Sequence, residues 1–417
     1  MQIVELNMHD FSNFADNHPL RNYCQTSSYA KLAGEKGYNY DYIGYRDDSN
    51  NIVAASLILN KKIGNFKFCY APKGILIDYY NNDLLNNFFK DLKKYYASRN
   101  YAFLKINPEI IIGEINKNKG FATNYNQNVN IIDVLKSIGF KRRREINPLD
   151  LIMPKINPYI NLKKYSIDGL DESVREKIKS ASKKGLFIEE ATNKDVSILY
   201  DIIKNNTYES INYYRNILNI FNEGNSELLL IKVDYEEYLI EARKAYEAEQ
   251  NNNNYWNERI QTDNSEENLN FKMQSDRDLL KIKEEIVNAT EGMRKYKFKY
   301  VGGVILIKYK NRVSIIANGY DKNFEDLNPN YFLYDYLIRR YSNDYDFLDL
   351  NGAASNFSKS SVYEKFNYEK FDFNPTLYEF IGEFDLILNE NDFKKIQAKN
   401  LLLKEFFPSH KFKQEKN

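Results

Sequence analysis

One stretch limits what this chain can fold into more than any other. Residues from about 235 to 297 contain no proline and are densely charged. Within them Leu279, Ile282, Ile286, Ala289 and Met293 step by three, four, three and four. That spacing is a heptad seam, which keeps one apolar edge of a helix facing a partner helix. Tyr235, Leu239, Ala242 and Tyr246 repeat the pattern on an earlier arm, and the polar run Gln261 to Glu267 reads as the turn between the two. On either side lie apolar runs of strand character, Ser226–Val233 and Tyr300–Ile307. These are expected to pair in one sheet. The long helices are therefore an antiparallel hairpin inserted between neighbouring strands, not a linker between domains.

The rest alternates strand and helix signals. Asp41–Tyr45 and Ile52–Leu59 read as strands paired around the turn-rich residues 47–51. Lys67–Tyr70 is a third strand, running into a loop at Ala71–Gly74. Leu84, Leu85, Phe88, Phe89 and Leu92 form one apolar helix face, with Asp83 placed to cap its start. Tyr101–Ile106 is a strand that stops at Asn107 and Pro108. A similar order recurs after residue 150. Helices are expected at Ser173–Lys184, Asp195–Asn205, Ile211–Phe221 and Tyr331–Tyr341, and strands at Arg312–Ala317 and Phe347–Leu350. The fold class is α/β with mixed sheets. The units are 1–150, then 151–234 and 298–400 as two parts of a second unit, the arm 235–297, and a basic tail 401–417.

A chain of 417 residues is too long for one simple core. Its net charge of +1 excludes a protein that coats nucleic acid by bulk charge, so contact with a polyanion must be local. Cys24 and Cys69 are too few for a disulfide scaffold or a cysteine zinc site. His9, His18 and His410, the only histidines, are read as scattered surface residues rather than a triad or metal site. No signal peptide and no span of eighteen apolar residues is seen, so the compartment reads as cytosolic.

No Walker A, G-x-S-x-G or H-E-x-x-H pattern occurs. Gly302 and Gly303 sit in a strand pattern, where a bulge or close backbone approach explains them as well as a ligand does. Three places could carry chemistry. Lys73 and Gly74 follow a strand on a loop, where an ammonium and open backbone N–H groups could meet a phosphate; an ordinary surface loop is the alternative. Lys141, Arg142, Arg143 and Arg144 are the densest basic run, fit to meet a polyanion or simply to be solvated. Tyr368–Phe371 and Tyr378–Leu386 interleave aromatics with charges, and core packing explains only the aromatics.

Taken together, these segments resemble the Fem family (FemABX type), bacterial non-ribosomal aminoacyl transferases that build peptidoglycan interpeptide bridges. Gln25–Lys31, Ile52–Ala55, Tyr70–Gly74 with Asp78, and Leu104–Glu109 resemble motifs of the family's first unit. Val174–Gly185, Gly319 and Tyr320 with Leu327–Leu333, and Phe380–Leu386 resemble motifs of its second. The resemblance implies two subdomains of the GCN5-related acetyltransferase type with a coiled-coil arm. It implies an aminoacyl-tRNA donor, and an acceptor amine on the stem peptide of lipid II or its UDP-linked muropeptide precursor. The enzyme would then be cytoplasmic, in peripheral contact with the inner membrane face. The oligomeric state is left open. Aminolysis of an ester needs no cofactor and no metal.

By motif, Lys370 is the candidate cation for the oxyanion or the departing oxygen, Lys73 would hold acceptor phosphate or carboxylate, and Tyr213 resembles an acceptor-site tyrosine. Arg215 is the substitute for an arginine expected near it. The basic run and the arm are expected to help bind tRNA. Three departures stand out. The lysine closing the opening motif falls on Ala33, leaving Lys31 or Lys36; the carboxylate of the D-P segment is Asn107; and the aromatic before Lys370 is Glu369. Two alternatives to the transferase reading are an acyl-CoA-dependent N-acyltransferase, for which the sequence offers no pyrophosphate loop, and a diverged non-catalytic protein binding tRNA or cell-wall precursor.

Overall fold

The computed structural model describes residues 1–143, 152–222, 224–354, 357 and 364–406. Its strands, in chain order, begin with β1 (Gln2–Glu5), β2 (Asn39–Arg46), β3 (Ile52–Ile63), β4 (Phe66–Ala71) and β5 (Tyr101–Ile106). They continue with β6 (Ile111–Asn116), β7 (Phe121–Tyr125), β8 (Phe140–Arg142), β9 (Ile156–Asn161) and β10 (Leu186–Ala191). The last are β11 (Ser226–Asp234), β12 (Phe298–Tyr309), β13 (Arg312–Tyr320), β14 (Phe347–Asp349), β15 (Thr376–Phe380) and β16 (Phe384–Ile387).

They form two mixed sheets, ordered β1-β2-β3-β4-β5-β16-β8 and β10-β11-β12-β13-β14-β9-β15-β6-β7. Each sheet is antiparallel except for one parallel pair, β4 with β5 and β13 with β14. A parallel pair needs a crossover. The helix Asn82–Ala97 supplies the first and Pro329–Tyr341 the second. The first helix buries Leu84, Leu85, Phe88, Phe89 and Leu92, as its spacing predicts. Its cap, however, is Asn81, whose side chain accepts from the Leu84 N–H, and Asp83 lies in the first turn.

The sheets do not divide at residue 150. β6 and β7 join the second sheet through β15, and β16 returns to lie between β5 and β8 of the first. The two units thus exchange segments, and the loop between β5 and β6 passes from one sheet to the other.

β11 and β12 are antiparallel neighbours, and the helical hairpin leaves between them. Its arms are Tyr235–Thr262 and Glu266–Lys295. Near the root Tyr235, Leu239, Ala242, Leu279 and Ala289 are buried, whereas Met293 of the expected seam is exposed. Gly292 takes its place beside the Tyr235 ring, where a Cβ would come within 2.1 Å of the ring. Farther out the seam turns polar: Asn253 donates to Ser275 at 3.1 Å and to Asp276 at 2.9 Å. Among the described residues no helix is long and apolar enough to cross a membrane.

Gly302 and Gly303 lie in β12. A Cβ on Gly302 would approach the Gly319 carbonyl oxygen to 2.8 Å, and one on Gly303 the Leu229 oxygen to 2.7 Å. Close strand approach accounts for both.

Candidate active site

The loop after β4 is pinned from below. Gln25, buried, donates to the Pro72 carbonyl at 2.7 Å and accepts from the Leu57 N–H at 2.8 Å. Gly74 sits against it: a Cβ there would come within 2.7 Å of Ser56 Oγ and 2.8 Å of Gln25 Nε2. The Gly74 N–H donates to the Ala71 carbonyl at 3.2 Å. Glycine is therefore needed for packing, and its N–H is already used. That differs from the phosphate contact expected of Gly74. Lys73 adopts a positive φ of 53°, and its N–H donates to Asn107 Oδ1 at 2.8 Å. Its ammonium lies 4.7 Å from the centre of the Phe380 ring. Lys73 and Asn107 thus meet, with Asn107 orienting the loop rather than supplying charge.

The carboxylate missing at Asn107 has a buried counterpart two residues on. Glu109 Oε1 accepts from Arg312 at 2.5 Å and from the Tyr159 hydroxyl at 2.8 Å. Asn22 donates to Oε2. Burial acts to raise the Glu109 carboxyl. The Arg312 guanidinium, then Lys73, Asn22 and Tyr159, outweigh burial and hold it below the usual carboxylate value. Glu109, Tyr159 and Arg312 line a cavity of about 650 Å3, whose other walls include His18, Arg21, Asp78, Tyr80 and Asn128.

Behind this wall lies Asp349, at the end of β14. It accepts from the Asn351 N–H at 2.9 Å and from Asn157 at 3.3 Å. Burial raises its carboxyl. Arg312 and Lys73 pull the other way, Glu109 adds to the rise, and the net direction is up. Two acids in one site are therefore driven apart, one held ionised and one pushed toward the protonated form.

Lys370 stands beyond Asp349. It is 3% exposed and donates to the Gly352 carbonyl at 2.7 Å. Burial lowers its ammonium to about 7, against the pull of Asp349 and Glu369. Such a lysine changes charge near neutral pH, the range a proton-transfer group needs.

The other expected residues separate. Lys36 lies 5.0 Å from the centre of the Tyr213 ring and pairs with Glu209 at 2.6 Å. Tyr213 is within electrostatic reach of Cys24, which in turn feels Lys73. Lys36 and Tyr213 are thus neighbours of each other, and neither is among the residues that line the cavity. Lys31 is exposed on the helix Ser27–Glu35, and Ala33 is packed in the core. Arg215 follows Tyr213 by two residues on the helix Ile211–Phe221, about 200° round the axis, so it cannot stand beside it.

The basic run is not a free patch. Arg142 donates from Nε to the Ile381 carbonyl at 3.1 Å, and Arg143 lies 4.0 Å from Asp385. Lys141 is exposed on β8 and pairs with Glu390 at 3.3 Å. β8 is a strand hydrogen-bonded to β16, so its side chains are drawn to the acids beside it. Arg144 lies outside the described residues.

Motif reading reached Lys73, Asn107 and Lys370 but missed Glu109, Arg312, Tyr159 and Asp349. One signal was available: Asp349 is an acid between two leucines in a short strand, where a charge is unexpected unless it has work to do.

The sequence pattern of the FemAB family matches residues 6–400. The chain is 22% identical over 416 residues to "Lipid II:glycine glycyltransferase" of Staphylococcus aureus, covering 95% of each chain. It is 23% identical over 431 residues to "Aminoacyltransferase FemA" of Staphylococcus epidermidis, covering 94% of this chain and 97% of that one. The crystal structure of FemX superimposes with a TM-score of 0.72 at 19% identity, covering 95% of this chain and 100% of the other. That likeness shows a shared fold.

Proposed function

Because the chain belongs to the FemAB family, we propose that it transfers an aminoacyl group from an aminoacyl-tRNA to a stem-peptide amine of a peptidoglycan precursor, lipid II or its UDP-linked form. The relatives support the kind of reaction, since their names specify aminoacyl or glycyl transfer and one names lipid II. The observation that carries the reading is the Asp349–Lys370 pair, set behind a cavity wall made by Glu109 and Arg312.

The chemistry follows from the two groups. The acceptor amine must be neutral when its lone pair attacks the ester carbonyl. As the C–N bond forms, Asp349, in its carboxylate form, takes the surplus proton from nitrogen. A carboxyl raised toward neutral pH holds a proton better than an ordinary one. As the C–O bond breaks, protonated Lys370 gives a proton to the departing tRNA oxygen, having first stabilised the oxyanion. Arg312, which lines the cavity, and Lys73 are assigned to the anionic groups of the acceptor, and Lys36 with Tyr213 to the same substrate. The helical hairpin is assigned to the body of the tRNA. The work is then done at the cytoplasmic face of the membrane.

The test uses the full chain with tRNAs charged in turn with each labelled amino acid, and with lipid II of the lysine and diaminopimelate types. The expected product is the precursor heavier by one aminoacyl residue. No such product with any donor would overturn the reading.

A further inference from the structure

Glu369 stands directly before Lys370 on the helix Glu364–Phe371. Its carboxylate is held by two neutral donors. The Tyr320 hydroxyl donates to Oε1 at 2.8 Å, and Asn330 Nδ2 donates to Oε2 at 2.6 Å. Among the described residues no cation lies within ion-pair distance of Glu369. The nearby ammonium of Lys177 is committed elsewhere, to the Tyr331 hydroxyl at 2.9 Å and to Asp372 at 3.8 Å.

Asn330 adds a second observation. Its side chain is buried at 6% exposure, and its Oδ1 has no hydrogen-bond partner. The amide cannot be turned round to remove the problem. An ionised carboxylate only accepts, so the Asn330 NH2 must face Glu369 and the carbonyl oxygen must face away from it. A buried acceptor without a donor is rare and calls for an explanation. Here a carboxylate hydrogen-bonded only by neutral donors lies next to a side chain with an orphan acceptor, and among the described residues no positive donor contacts either.

A primary ammonium has that character: three N–H donors, one positive charge and no acceptor. Position identifies which ammonium. Glu369 and Lys370 are consecutive on one helix, and the Lys370 ammonium feels the Glu369 carboxylate, so the two groups are close enough to serve one substrate. In an aminoacyl ester the α-nitrogen is two bonds from the carbonyl carbon. With Lys370 at the carbonyl oxygen, Glu369 falls on the side of the α-nitrogen.

We propose that Glu369, Asn330 and Tyr320 form the subsite that takes the α-ammonium of the donor's aminoacyl group. The inference rests on the transferase reading and deepens it. The site reads the free amino terminus of the donor and disfavours donors in which that nitrogen is acylated or replaced. Glu369 is then a specificity-determining residue, and the glutamate that replaces an expected aromatic has a use.

The experiment is calorimetric binding to the full chain of three adenosine derivatives that cannot be transferred. Each carries an amide at the 3′-position: glycyl, N-acetylglycyl or glycolyl, the last with hydroxyl in place of amine. Wild type is expected to bind the glycyl form about 10-fold or more tighter than the other two, the usual size for a hydrogen bond to a charged group. Glu369→Gln is expected to shrink that preference below about 3-fold while leaving glycolyl binding unchanged, and Glu369→Asp to keep part of it. Equal binding of all three by wild type, no binding of any, or an undiminished preference in Glu369→Gln would overturn the proposal. So would an equal loss for all three probes in that variant, which is what a purely structural carboxylate gives. The probes contain neither the tRNA body nor lipid II. If transfer is observed but the amine preference is absent, only this inference falls. If the preference holds and no donor is transferred, the failure belongs to the reaction assigned above.

Discussion

Among the described residues, two clusters of buried charge invite comparison, and one of them supplies walls of the cavity of about 650 Å3. In the first, Lys105 of β5 meets Asp385 at 2.7 Å and Glu383 at 3.2 Å, with all three side chains 2% exposed. Glu383 also accepts from the Ile152 and Met153 N–H groups, and Arg143 approaches Asp385. Two cations face two anions, and the two backbone N–H groups both serve Oε1 of Glu383. The second cluster, Glu109, Arg312, Asp349 and Lys370, is also buried, but its charges do not settle so simply. Asp349 is pushed up and Lys370 down to about 7. Burial of charge alone therefore does not mark a site. What separates the second cluster is that Asp349 and Lys370 are moved toward neutrality next to Glu109 and Arg312, which are held charged and line a space a substrate can enter.

The sealed cluster also explains charges that packing could not. Glu383 and Asp385 interrupt the aromatic run Phe380–Leu386 because β16 pairs with β5, placing Asp385 directly opposite Lys105. Two segments far apart in sequence are locked by one buried ion pair.

Breaking that lock should have the largest effect. Lys105→Met leaves two carboxylates buried without their cation, and is expected to lower unfolding stability by about 3–5 kcal/mol in urea titrations. Turnover per folded molecule should be preserved. A comparable change in the cavity cluster should do less to stability and more to substrate. Arg312→Met strips Glu109 of its strongest partner, but water in the cavity can reach the vacancy. A loss of about 1–3 kcal/mol is expected, with a raised KM for the lipid-linked acceptor. An equal stability loss in the two variants would erase the distinction between the clusters.

A subtler effect sharpens the same contrast. The folded-state value of Lys370, about 7, lies below its ordinary value of 10.5. Between the two the unfolded chain binds more protons than the folded one, so this group makes stability rise with pH. Melting temperatures of wild type and Lys370→Met, compared from pH 7 to 9, should show the wild type gaining on the variant. The window stops there because the buried tyrosines, whose hydroxyls are raised, begin to oppose folding as pH approaches their unfolded value near 10.

Much of this architecture was legible in local patterns. The hairpin announced itself by its heptads and its lack of proline, and the helix Asn82–Ala97 by one apolar face. The exchange of β6, β7 and β16 between sheets was not legible, because strand pairing joins residues hundreds of positions apart and leaves no periodic trace. The same limit governs the site. Lys73 and Lys370 sit in recognisable motifs, whereas Glu109, Arg312 and Asp349 come from three strands or loops that only the folded chain brings together. The surroundings of the basic run were hidden for a related reason: the acids beside Arg143 and Lys141 lie about 240 residues away in sequence.

The central claim is that Asp349 and Lys370 carry the proton traffic of aminoacyl transfer. Its most direct test is the rate of label transfer from charged tRNA to lipid II by Asp349→Asn, measured at saturating substrates beside a melting curve of the same sample. The account predicts turnover lower by about 100-fold or more with the melting temperature nearly unchanged. Turnover at the wild-type level would contradict it, as would a loss explained entirely by unfolding.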